Sequence, residues 1–335
     1  MTLIRPTAED HGTDRPARRA GTGGAVAVLL LVALGALIPL LGPSAALRGT
    51  GESAAPGVGG IALLRTVLFA ALCVPLGELF VGRLARTLPG APAARPRSWA
   101  AWAAGAGFLA ALGLASVVAT GNLVPDDPGQ IDVGGLYASR DGKLALLEVN
   151  AFALAGLCAL SGRPASQVWP LSAVAVAEAL RAHPTTEYSP LIGSGLTLIH
   201  VLCASLWAGG LLYALRTLRL WGAGPFGAAL LGLYARVAAV LLAALTATGV
   251  ASTLRRMPPE TVLEQLTATA WGRTLLAKVL LVVAVAALAL WARLRLSRAA
   301  DPLTAASPAR AEVAVLAVVV AVSGLLTALP VPIRW

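Results

Sequence analysis

The sequence predicts an all-α fold, a polytopic transmembrane helical bundle of about nine spans. Three observations carry this. Charged residues make up only 13% of the 335 positions, about half of what a soluble domain uses to cover its surface. Hydrophobic residues reach 57% and fall in long uninterrupted blocks, and about 20 apolar residues at helical rise cross a bilayer. Between the blocks lie breaks rich in Gly, Pro and Arg, such as LPGAPAARPRS (88–98) and WGAGPFG (221–227), where a helix ends. The net charge of +10 fits basic residues placed in short loops as orientation signals, so the expected surroundings are a lipid bilayer, with no nucleic-acid partner.

Taken in order, residues 1–22 are polar and Arg-rich, a disordered cytoplasmic tail by composition. The first span, 23–42, has a basic flank, but its apolar stretch is longer than a signal-peptide core. It therefore reads as an uncleaved anchor, followed by an outer loop to residue 60. The remaining spans are 61–82, 99–120, 143–161, 167–182, 190–215, 226–252, 271–292 and 311–332. The 167–182 span is the weakest, because its apolar core VWPLSAVAVAEAL is short and carries Glu178. With the N-terminus inside, 15 Arg and Lys residues fall in inner segments and 8 in outer ones. That bias places a multi-pass protein N-in and C-out, and it holds only if the 167–182 segment crosses.

Three pairs of segments recur at nearly constant offset. LGELFVGRLARTL (76–88) resembles AGGLLYALRTLRL (208–220), ATGNL (119–123) resembles ATGVA (247–251), and DGKLALLEVNAFAL (141–154) resembles WGRTLLAKVLLVVA (271–284). The offsets of 132, 128 and 130 map spans two to five onto spans six to nine. Four crossings per unit make a parallel repeat with its axis along the membrane normal, so 61–189 and 190–335 form two four-helix units. Glu148 then aligns with Lys278, each about one and a half turns inside its helix. An ionised group at that depth faces the bundle interior or a partner. The two are expected to form an intramembrane charge pair across the pseudo-twofold axis; the alternative is that each snorkels outward separately. Glu78 beside Arg83, and Glu178 within reach of Arg181, read as interfacial pairs.

His200 stands alone in the apolar run TLIHVLCASLWAGG (197–210), and the same offset puts Leu68 in its place in the first unit. At helical spacing His200, Cys203, Ala204 and Trp207 share a face, and Gly209 and Gly210 allow close helix approach. Outer loops add His183 and Met257. Imidazole, thiolate and thioether together suit copper, so the candidate metal ligands are His200, His183, Cys203 and Met257. A lone membrane histidine serves helix packing as readily, and Cys203 serves as a small hydrophobe. The cysteines Cys73, Cys158 and Cys203 form neither a CxxC nor a disulfide framework. No Gly-x-Ser-x-Gly, His-Glu-x-x-His or phosphate-loop pattern occurs, and no enzymatic activity is expected.

HVLCASLWAGGLLYAL (200–215), YARVAAVLLAALTATGVAST (234–253), WGRTLLAKVLLVVAVAALALWAR (271–293) and RAEVAVLAVVVAVSGLLTALPVP (310–332), in that order, resemble the copper resistance protein D (CopD) family of bacterial inner-membrane proteins. His-x6-Trp-x-Gly-Gly and Gly-Arg-x-Leu-Leu-x-Lys are the most specific elements. The likeness covers residues 190–332 well and 61–189 more loosely. It implies a copper ion as cargo, a place in the bacterial cytoplasmic membrane, and His200 and His183 as the family's membrane and loop histidines. It also implies a periplasmic copper-binding protein or an oxidase assembly factor as partner. The sequence departs from an ideal copper carrier in having few methionines and no His-rich or Met-rich tract. A b-type haem electron carrier is the alternative, although bis-His ligation needs histidines on facing helices. A non-metal permease or assembly factor is the third reading.

Overall fold

The computed structural model describes residues 22–121, 124–125, 127–222, 224–257, 259–298 and 306–331. The expected tail of residues 1–22 lies outside them, apart from Thr22. The described chain is helical: α1 (Thr22–Leu47), α2 (Val58–Arg86), α3 (Ala100–Ala119), α4 (Val133–Ala138), α5 (Arg140–Leu160), α6 (Val168–Arg181), α7 (Pro190–Trp221), α8 (Pro225–Arg256), α9 (Val262–Ala268), α10 (Ala270–Arg298) and α11 (Ala306–Ala328). Nine of these coincide with the nine expected spans. The short helices α4 and α9 sit in loops and were not expected. Seven helices among the described residues are long and apolar enough to cross a membrane by themselves, so the chain is a polytopic helical membrane protein.

Local chemistry sets the helix ends. Ser139 caps α5 by accepting from the Gly142 N–H at 3.0 Å, and Asp132 caps α4 through the Gly135 N–H at 3.0 Å, each occupying an orphan donor of a first turn. Glu52, from the loop after α1, accepts from the Ala270 N–H at the start of α10. Pro190 and Pro225 open α7 and α8, where the missing N–H costs nothing. Gly222 ends α7 at φ +73°, a conformation that disfavours side chains. Helix α6 has only 14 residues, about 21 Å of rise. A 3₁₀ turn over Pro164–Gln167 leads into it and adds about 8 Å, which brings the segment close to the ~30 Å of a hydrocarbon core.

Consecutive spans alternate in direction. The loops before α2, α5, α7 and α10 therefore share one side, called here the long-loop face, and the loops before α3, α6, α8 and α11 share the other. Helices α2 and α7 pack along the middle of the bundle. At their crossing a Cβ on Gly77 would overlap the Gly209 backbone, and one on Gly209 would overlap the Cys73 carbonyl. Such backbone-to-backbone approach is what small residues permit between membrane helices. Gly77 and Gly209 are also 132 positions apart, the offset of the sequence repeat, so equivalent positions meet each other.

Most other neighbours pair off in the same order, but α3 packs closely on α5 whereas their counterparts α8 and α10 barely meet. Helix α2 packs on α3 as α7 does on α8, and α5 on α6 as α10 does on α11. Helix α6 crosses to α7, and α11 crosses to α2. Three apolar cores result, the first around Leu68, Leu72, Phe152 and Leu171, the second around Trp207, Leu211, Leu230 and Tyr234, and a smaller third around Met257, Trp271 and Leu325.

Candidate functional site

His200 lies on α7, ten residues from Pro190 and so about 15 Å below the long-loop face. It is half-buried and faces α8. Its Nδ1 is 3.0 Å from the Thr248 hydroxyl, which itself donates to the Ala244 carbonyl at 2.7 Å. A hydroxyl has one proton, and Thr248 has placed it on the backbone. With the hydroxyl proton so placed, Nδ1–H donates to Thr248 and Nε2 keeps its lone pair, an assignment that agrees with the ring's further hydrogen bond to the Leu245 backbone. A hydrogen bond on one ring nitrogen that selects the tautomer and frees the other for a metal is the usual second layer around a histidine ligand.

One turn towards the long-loop face, Thr197 lines the same side of α7 and meets His183. The His183 ring is buried, at 2% exposure. Its Nδ1 is 2.6 Å from Glu187 Oε2 and its Nε2 is 2.9 Å from Thr197 Oγ1. An ionised Glu187 can only accept, so Nδ1–H donates to it and the Thr197 hydroxyl donates to Nε2. Both ring nitrogens are engaged. Burial holds the His183 imidazole below its ordinary range, Glu187 opposes this, and the Arg256 and Arg255 charges reinforce it. The loop itself is strapped down from both sides. Arg255 of α8 donates to the Tyr188 and Ser189 carbonyls at 2.7 and 3.1 Å and pairs with Glu187. Arg140 of α5 donates to the Leu180 carbonyl at the end of α6 at 2.9 Å and reaches the His183 carbonyl of the loop at 3.5 Å.

Glu187, His183, Thr197, His200 and Thr248 thus form a polar file descending between α7 and α8. Cys203 is the next residue along it, a free thiol, half-buried against the second core. Lys278 of α10 is half-buried, and its charge acts on the His200 ring.

The remaining expected residues are not brought to this file. Met257 is fully buried, packed with Ala62, Trp271 and Leu325. It lies nine residues beyond Thr248 on α8, about 13 Å along the helix. Glu148 does not pair with Lys278. It faces α6 and meets Arg181 there, whereas α10 packs on α11, α9, α1 and α8. Offset-equivalent residues on α5 and α10 therefore lie on opposite flanks of the α2–α7 seam. Glu178 pairs with Arg65, whose Nη1 lies 2.6 and 2.5 Å from its two carboxylate oxygens, rather than with Arg181. Glu78 takes Ser98, the Trp99 N–H and Arg216, rather than Arg83.

Among the described residues no three His, Cys, Asp or Glu side chains are grouped as a ligand set for a metal. What the file offers is one prepared imidazole nitrogen with a thiol one turn away. Thr197 and Thr248 escaped the sequence reading. Thr197 had a usable signal, three residues before His200, but Thr248 is brought in only by the docking of α8.

No curated protein and no solved structure gives a match to the chain. The family model described as Copper resistance protein D matches residues 228–329, a stretch that begins after His200 and takes in Thr248 and Lys278. That stretch, folded into the same helical bundle that carries the polar file, is similar to the copper resistance protein D (CopD) family of membrane proteins.

Proposed function

We propose that the protein receives copper at the long-loop face and holds it inside the membrane at His200. The observation that carries this is the Thr248 hydrogen bond, which leaves the His200 Nε2 lone pair free. Copper(I) accepts imidazole and soft sulfur ligands, and Cys203, at i+3, supplies the sulfur. His183 has no free ring nitrogen; it seats the 182–189 loop over the entrance to the file. The arginine distribution puts the long-loop face outside the cytoplasm, in keeping with delivery by an extracytoplasmic copper-binding protein. Lys278 sets a positive charge near the ion, which favours release over tight storage.

The test is copper(I) binding by the purified full-length protein in competition with a chromogenic chelator. Wild type is expected to bind one copper, and His200→Ala to lose it. Cys203→Ser should weaken binding without abolishing it. Unchanged stoichiometry and affinity in His200→Ala would end this assignment. A Soret band in the purified protein would point instead to haem.

A further inference from the structure

The first half of the bundle holds a second polar centre that the copper file does not use. Arg65 of α2, Glu148 of α5, and Glu178 and Arg181 of α6 gather below the long-loop face, Arg65 seven residues into α2 and Glu148 eight residues into α5. Their side chains are 15%, 0%, 7% and 9% exposed. The two ion pairs are Arg65–Glu178 and Arg181–Glu148. Helix α3, also packed on α5, carries no charged residue. The further charges near Glu148 are on its own helix: Asp141, which acts on Arg181, and the exposed Arg140 and Lys143.

The two pairs differ. Both Glu178 oxygens are bonded by Arg65. Arg65 Nε and Arg181 Nε and Nη1 are all buried without a hydrogen-bond partner, so the guanidinium groups do not separate the two pairs; the carboxylates do, since Glu148 Oε1 is buried with no partner. An oxygen of this kind can take a proton without displacing any donor. The place in the fold is also telling. At the repeat offsets Arg65 corresponds to Thr197 and Glu148 to Lys278, so two members of the quartet stand at positions equivalent to neighbours of His200 in the second half.

We propose that Glu148 is a reversible proton-binding site. Binding converts the Glu148 carboxylate and one proton from the long-loop side into a carboxylic acid. The quartet then passes from neutral to one positive charge, and the hold of Glu148 on Arg181 is released. Loss of the proton restores the pair. The ligand is a proton, and no copper is needed for it to bind.

Infrared difference spectra of the full-length protein in lipid vesicles, stepped from about pH 8 to about pH 5 without copper, test this directly. Wild type is expected to gain a protonated-carboxyl C=O band that Glu148→Gln lacks and Glu78→Gln keeps. Identical bands in wild type and Glu148→Gln, or no band in wild type, would overturn the proposal. Should Glu148→Gln fail to fold, Arg181→Lys takes its place. It keeps the charge but changes the geometry, and it should move the midpoint of the band. An unmoved midpoint would count against Glu148. Because copper is absent, the result is independent of whether His200→Ala loses the metal.

Discussion

Thr248 decides what His200 can do, since its single proton is committed to the Ala244 carbonyl. Replacing it by Val removes the acceptor for Nδ1–H. Copper(I) affinity should then fall about 10–100-fold, as is usual for loss of such an orienting partner, while Thr248→Ser keeps the affinity; chelator competition reads both. Lys278→Gln removes a neighbouring positive charge and should tighten copper binding by roughly tenfold on Coulomb grounds. His183 gives a pH effect of definite sign. Its folded-state affinity for protons is lowered, so below about pH 6.5 the unfolded chain binds more protons than the folded one. The stability tied to its neutral form is complete above that pH and is lost as pH falls towards the lowered value. Hydrogen-exchange protection of the 182–189 amides, corrected for intrinsic rate, should drop over this window and should not drop in His183→Gln. His200 was legible as a site because no other histidine and no charged residue stands in its run. Thr248 was not, because a threonine in an Ala-, Leu- and Gly-rich helix has no distinguishing neighbours in sequence.

At the scale of the helix, the α2–α7 crossing is the most sensitive contact. Gly209→Ala sets a Cβ against the Cys73 carbonyl, whereas Gly82→Ala meets nothing within 4 Å. Overpacking at a tight contact costs about 1–3 kcal/mol. Gly209→Ala should therefore lower the unfolding midpoint in detergent, and Gly82→Ala should leave it in place. The seven helices long and apolar enough to cross a membrane were legible because bilayer thickness fixes how long an apolar block must be, and that length is written directly in composition. Helices α4 and α9, of six and seven residues, are too short to show a period. The partner of Glu148 was hidden for another reason. Sequence spacing fixes its height and face on α5, but only the lodging of α6 beside that face brings Arg181 to it.

For the whole molecule, the expected orientation rests on the arginine count. Single cysteines introduced at the exposed Tyr188 and the exposed Ala93, in a background lacking Cys73, Cys158 and Cys203, test it in intact cells. A membrane-impermeant maleimide should label position 188 directly and position 93 only after permeabilisation; the reverse pattern would invert the topology. The exchange of fourth helices, α6 onto α7 and α11 onto α2, bears on what counts as a unit here. The stretch that matches the CopD family model supplies most of α8 and the whole of α9, α10 and α11. Yet α8 leans on α7, and α11 on α2, and Gly324 of α11 fits directly against Thr66 of α2. The segment by which kinship is recognised is therefore not one that can be cut out and folded. The likeness marks four helices, while assembly requires partners from both ends of the chain.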